Sequence, residues 1–301
     1  MTNTKVQVWL AATRPRTLPL ALSSIGMGSF LAAWQNSFSW SVFLLAALTT
    51  IFLQVLSNLA NDYGDFVHGA DSITREGPTR AVQSGAIPAN TMKIALVIFI
   101  ILSLISGIGL LVAALGSNRQ LFITFLALGV LAIFAAIAYT NGKKPYGYLG
   151  LGDVFVLIFF GLVGVLGTYY LHTKYFQWSL VMPAISCGLF ATGVLNVNNI
   201  RDIKSDEEAG KKSIPVRIGK EKAVNYHVFL LATGFLLAVI FTIINYQSYW
   251  QWLFLLTLPL FILNINKVKK YSLPSKLDPF LRQLAISTML FVVFFGLGLL
   301  L

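Results

Sequence analysis

Asn58, Asn61, Asp62 and Asp65 stand at i, i+3, i+4 and i+7. In a helix that spacing puts two amides and two carboxylates on one face. They close an apolar run from Trp40 to Leu59, and the same idea recurs 140 positions later, where Asn198, Asn199, Asp202 and Asp206 close the run from Trp178 to Val197. Asn58-x-x-x-Asp62 and Asn198-x-x-x-Asp202 match position for position. Carboxylates of this kind suit Mg2+, which takes oxygen ligands and usually combines one or two carboxylates with substrate phosphate and water. The expected metal ligands and catalytic acids are therefore Asp62, Asp65, Asp202 and Asp206. Two opposed carboxylate pairs repel unless a cation lies between them. The amides of Asn58, Asn61, Asn198 and Asn199 are placed to donate to phosphate oxygens or to orient the acids. One such motif alone would read as a solvated helix end; two with parallel spacing read as halves of a site.

A phosphorylated ligand also calls for cationic side chains. Arg14, Arg16, Lys144, Arg201, Lys211 and Lys212 are available, though any single one reads first as a topology signal. Arg75, Arg80 and Lys143 stand out, because Gly-rich loops beside the acidic helices carry them. Tyr139 ends an apolar run four residues before Lys143. It is the candidate for a ring that lines the site and steadies a developing carbocation with its π face. His68 and His227 have no partner at metal-ligand spacing, and His172 sits at the outer end of a span, so none is given a catalytic role. Gly161, Gly164 and Gly167 are spaced for close helix packing.

The elements that must hold these residues are membrane helices. The chain has 301 residues, 56% hydrophobic and 11% charged, with mean hydropathy +0.75; soluble domains carry about 25% charged residues. Nine apolar stretches are long enough to cross a bilayer: 17–36, 40–61, 91–115, 119–139, 153–172, 178–199, 223–246, 249–266 and 279–300. The eighth is the weakest, because it follows a very short turn and contains Pro259. The chain thus reads as an all-α polytopic bundle, a single membrane domain over 1–301. With the N-terminus in the cytoplasm and the C-terminus outside, 20 of the 22 Lys and Arg residues fall on the inner side, leaving Arg119 and Lys174. All 11 acids fall inside as well, so the expected active site faces the cytoplasm. The polar start, Met1 to Thr17, does not read as a cleavable signal. The single cysteine, Cys187, excludes an intrachain disulfide. The net charge of +11 sits in short loops between spans, which points to anionic head groups and not to nucleic acid.

Several motifs resemble the UbiA superfamily of intramembrane aromatic prenyltransferases. They are Arg14-Pro-Arg-Thr-Leu-Pro19, Asn61-Asp-Tyr-Gly-Asp65, Gly77-Pro-Thr-Arg80 and Leu195-Asn-Val-Asn-Asn-Ile-Arg-Asp202 with Asp206. The stretch Lys144-Pro-Tyr-Gly-Tyr-Leu-Gly-Leu-Gly-Asp153, followed by Gly167-Thr-Tyr-Tyr170, narrows the likeness to the 1,4-dihydroxy-2-naphthoate polyprenyltransferases of menaquinone biosynthesis. The broader family often has a third Asp four residues after the second; here that position is Gly69, and the next acid is Asp71. The resemblance implies an enzyme of the bacterial plasma (inner) membrane. It would ionise a Mg2+-bound polyprenyl diphosphate and join the allylic cation to 1,4-dihydroxy-2-naphthoate at the carboxylate-bearing position, losing CO2. The residues alone reach only a divalent cation and a phosphorylated substrate. They leave open a 4-hydroxybenzoate or other quinone-precursor acceptor, and a cation-coupled transporter. Transporters place such acids near the bilayer midplane, whereas these lie at helix mouths.

Overall fold

The computed structural model describes residues 4–69, 80–270 and 273–301, and among them every regular element is helical. Among the described residues nine rods are long and apolar enough to cross a membrane: α1 Lys5–Trp34, α2 Trp40–Val67, α3 Ala89–Leu115, α4 Arg119–Ala138, α5 Gly152–Thr173, α6 Trp178–Arg201, α7 Lys220–Ile244, α8 Tyr249–Lys270 and α9 Asp278–Leu300. These agree with the nine apolar stretches, with differences at three places.

The first is α1, which starts at Lys5, well before the apolar run. It breaks where Arg14 takes a left-handed conformation (φ 48°) before the short turn Pro15–Thr17. Pro15 explains the break: its ring forbids the helical hydrogen bond and disfavours helix in the residue before it. The second is α8, which begins as a 3-10 turn, Tyr249–Thr257, and becomes α-helical only at Leu258. Pro259 then falls in the first α-helical turn, where its missing N–H costs nothing. The third is a π-helical stretch in α5, Leu157–Gly167.

Without water inside a bilayer, helices associate by close packing and interhelical hydrogen bonds. α6 is the central post, with 72% of its apolar window buried inside the bundle against 6% for α4, which is left to face lipid. α5 packs along α6 where Gly161 meets Gly188: a Cβ on Gly161 would lie 2.8 Å from the Ala184 carbonyl. Gly164 faces Ser24 of α1 in a comparably tight contact, whereas Gly167 has ordinary space around it. Phe190 of α6, Phe235 of α7, Phe254 and Phe261 of α8, and Phe291 of α9 form one aromatic cluster, with Phe190 and Phe261 ring centres 4.7 Å apart. The buried His227 bonds Asn264 at 3.0 Å, tying α7 to α8.

One close approach positions the site. Thr140, just past α4, donates from Oγ1 to the Ala60 carbonyl at 3.0 Å, and Asn141 donates to the same oxygen at 2.9 Å. The two backbones meet at Gly64 of α2. The neighbouring Tyr139 is thereby delivered beside the first acidic motif.

Candidate active site

The first motif lies on the unbroken helix α2, with Asn58, Asp62 and Asp65 all buried. The second is less regular. α6 ends at Arg201, Asp202 sits in the cap, and a separate short helix, Ile203–Glu208, carries Asp206. The Asp206 amide still donates to the Asp202 carbonyl at 2.8 Å, so the two acids stay about one turn apart.

Both motifs line one cavity of about 1280 Å³. At its polar end are the four aspartates, Asn58, Asn61, Asn198, Asn199, Arg80 and Tyr139. Beyond them it continues between α3, α4 and α5 over apolar side chains that include Leu111, Phe125, Ile133, Phe159 and Leu166.

The motifs meet at Lys211. Its Nζ lies 3.0 Å from Asp65 Oδ1 and 3.5 Å from Asp206 Oδ1, so one ammonium bridges them. Asp65 also pairs with Arg80 and accepts from the Tyr148 hydroxyl at 2.8 Å. Asp62 is held by main chain: Ala81 N donates to Oδ2 at 3.1 Å and Val82 N to Oδ1 at 3.2 Å. On the other side Arg201 grips Asp202 with Nε to Oδ1 at 2.8 Å and Nη2 to Oδ2 at 2.7 Å, and it also donates to Asn198 Oδ1 at 2.9 Å.

Burial pushes the Asp206 carboxyl up to about 6; Lys211 opposes this, and the charges of Asp202 and Asp65 add to it. Tyr139 is pushed well above the ordinary phenol range, first by burial and then by Asp206 and Asp65, which keeps it a neutral ring at the meeting point of the motifs. Burial raises Tyr148 in the same way, with Asp65 adding to it. Crowded negative charge is therefore the electrostatic character of this end, and Lys211 supplies the compensating cation.

The donor set fits a hard divalent cation: all four aspartates line one shared cavity, and carboxylates are the oxygen ligands such an ion takes. Among the described residues no three His, Cys, Asp or Glu side chains converge tightly enough to form a metal cluster. A divalent cation here would thus draw further ligands from phosphate and water.

Not every expected residue is brought in. Lys143 is exposed and does not line the cavity; the turn after α4 carries it away. Its place is taken by Lys211 from the loop after α6. Arg75 and Asp71 lie outside the described residues. Asn58 does reach the cavity, but its amide nitrogen donates to the Thr13 carbonyl at 2.9 Å and to Thr17 Oγ1 at 3.1 Å, bracing the break in α1. Lys211, Arg201 and Tyr148 carry more of the site than their surroundings in the sequence advertise.

Residues 21–289 match the model of the UbiA prenyltransferase family. The chain belongs to the UbiA prenyltransferase family. It is 46% identical over 302 aligned positions to the 1,4-dihydroxy-2-naphthoate octaprenyltransferase of Haemophilus influenzae, covering 100% of this chain and 98% of that enzyme. It is 44% identical to the enzyme of the same name from Escherichia coli, covering 98% and 96%. Among solved structures, a UbiA homolog from Archaeoglobus fulgidus bound to GPP and Mg2+ superposes with TM-score 0.66 at 17% identity, over 98% of this chain and 100% of that one. The apo structure of a UbiA homolog from Aeropyrum pernix gives TM-score 0.68 at 16% identity, over 95% and 96%. This UbiA-family chain is an integral membrane protein with the family's helical fold.

Proposed function

We propose that this chain is a single-domain enzyme of menaquinone biosynthesis. It moves a polyprenyl group from polyprenyl diphosphate to 1,4-dihydroxy-2-naphthoate, with release of pyrophosphate and CO2. The observation that carries the reading is the meeting of two acidic motifs at one end of a long, mostly apolar cavity. The naphthoate acceptor is supported by the relatives of that name, which match essentially the whole chain.

The chemistry follows from the side chains. Asp62, Asp65, Asp202 and Asp206 would hold Mg2+ against the diphosphate. Bound there, the ion would neutralise charge on the departing pyrophosphate. Lys211, Arg80 and Arg201 stand beside those acids and add fixed positive charge where the allylic C–O bond breaks. Tyr139 turns a neutral ring toward the developing carbocation. The polyprenyl tail lies along the apolar arm between α3, α4 and α5, which also keeps water from the cation. The naphthoate ring attacks the allylic carbon, its carboxylate leaves as CO2, and the prenylated product is a lipid already in the membrane. The acidic end faces the cytoplasm of a bacterial plasma membrane, where both the soluble aromatic acid and Mg2+ are available.

An acceptor panel tests the reading. Purified protein in detergent or lipid, given Mg2+, polyprenyl diphosphate and dihydroxynaphthoate, is expected to give prenylated naphthoquinol and CO2. Chelating the metal should stop it, and readdition should restore it. Product with 4-hydroxybenzoate but none with naphthoate would assign a different acceptor. Transfer that persists in excess chelator would remove Mg2+ from the account.

A further inference from the structure

A line of alternating charge runs from the second acidic motif to the first and last rods, α1 and α9. Arg201 holds both oxygens of Asp202, at 2.8 and 2.7 Å. Its remaining terminal nitrogen, Nη1, donates to Asp278 Oδ1 at 2.6 Å. The other Asp278 oxygen accepts from Arg16 Nη1 at 2.5 Å. Asp278 is the first residue of α9, and Arg16 lies in the break of α1. Asp202, Arg201 and Arg16 line the cavity, whereas Asp278 does not.

The Arg201 side chain is 1% exposed. A guanidinium so buried persists only with carboxylates around it. Here two acids share it, and they differ in duty. Asp202 belongs to the motif expected to meet a cation and a diphosphate, yet both its oxygens are engaged by Arg201. An arginine committed wholly to Asp202 would compete with a divalent cation for the same oxygens. An arginine divided between Asp202 and a second carboxylate competes less, since part of its charge is already answered.

We infer that Asp278 is a positioning residue for prenyl transfer: it draws Arg201 toward α9 and so leaves Asp202 able to take a divalent cation. This rests on the reading of the acidic end as a cation and diphosphate site. Asp278 acts through Arg201 and touches no substrate. Its removal also raises the local net charge by one, which disfavours a cation and not an anion.

The test measures cation binding apart from turnover. Mn2+ is titrated into the purified, full-length protein with inorganic pyrophosphate, and free Mn2+ is followed by electron paramagnetic resonance. Asp278→Asn is expected to weaken Mn2+ binding about tenfold, while Asp278→Glu, which keeps the charge, binds close to the unaltered protein. The Mg2+ concentration needed for half-maximal transfer should rise in parallel, with the rate at saturating Mg2+ changed much less. Should Asp278→Asn fail to fold, Asp278→Ser serves instead, since a short polar side chain suits a first helical turn. Unaltered Mn2+ binding in the neutral variant overturns the inference, even if activity falls, because that pattern marks a purely structural acid. Failure of the unaltered protein itself to bind Mn2+ with pyrophosphate overturns the site reading beneath it.

Discussion

At the residue scale the four aspartates are not equivalent. Asp62 is fastened by the main-chain N–H groups of Ala81 and Val82, Asp202 by the Arg201 guanidinium, and Asp65 and Asp206 share Lys211. Asp62→Asn would set an amide N–H2 against a main-chain N–H, losing one bond and leaving a donor unmet, at about 1–3 kcal/mol. Asp202→Asn would leave the buried Arg201 short of a charge partner on that side. Both should reduce prenyl transfer by at least about 100-fold, on the scale of removing a principal electrostatic stabiliser. Both should still give a monodisperse protein with a cooperative melt. Full transfer rates in either variant would remove that residue from the chemistry. The sequence spacing was enough to place these acids on facing elements, because helical periodicity depends on residue type and count alone. The spacing carried no information about partners. Asn58 reads as a phosphate donor but spends its N–H2 on Thr13 and Thr17. Lys211 and Arg201 read as topology charges, because a basic residue in an inner loop already has a sufficient reason to be there. What separates them from Lys143 is three-dimensional: the loop after α6 turns back over the cavity.

At the element scale, apolar length predicts nine spans well, since the bilayer imposes one dimension on all of them. Interruptions are harder to read. The 3-10 start of α8 comes just before Pro259, whereas the π-helical stretch of α5 packs against α6 and contains no proline to mark it. The contact that positions Tyr139 belongs to the same class. A Cβ on Gly64 would lie 2.5 Å from Thr140 Oγ1 and 2.7 Å from the Thr140 carbonyl oxygen. One of the two backbones would have to move, and the Thr140 and Asn141 bonds to Ala60 would stretch. Gly64→Ala should therefore cost about 1–3 kcal/mol, as overpacking does, and should reduce transfer more than its melting temperature alone would explain. Gly109→Ala is the control, because a Cβ there meets only Leu45 Cδ2 at 3.8 Å. Equal activity and equal melting in the two variants would show that the approach of α2 to the end of α4 does not place the ring.

At the scale of the whole molecule, the two ends of the bundle differ in kind. The ion pairs of Arg16, Arg80, Arg201 and Lys211 all lie at one end. The other end is joined by neutral contacts: Ser39 N donates to His172 Nδ1 at 3.1 Å, and Trp34 Nε1 donates to Gln247 Oε1 at 3.2 Å. This asymmetry follows the basic residues, 20 of 22 of which fall on one side of the nine-span reading. Loops rich in Lys and Arg stay in the cytoplasm, so the acidic end should be cytoplasmic and the C-terminus of α9 outside. The chain is well suited to a direct test, since its one cysteine, Cys187, is 2% exposed in the core. On a Cys187→Ala background, Ser117→Cys would place a thiol in the exposed turn between α3 and α4, and Lys143→Cys would place one beside the opposite end. A membrane-impermeant maleimide added to intact cells should label the variant at 117 and spare the variant at 143 until the cells are opened. The reverse pattern would turn the site outward, away from cytoplasmic Mg2+ and the soluble acceptor, and the proposed supply of both would fail with it.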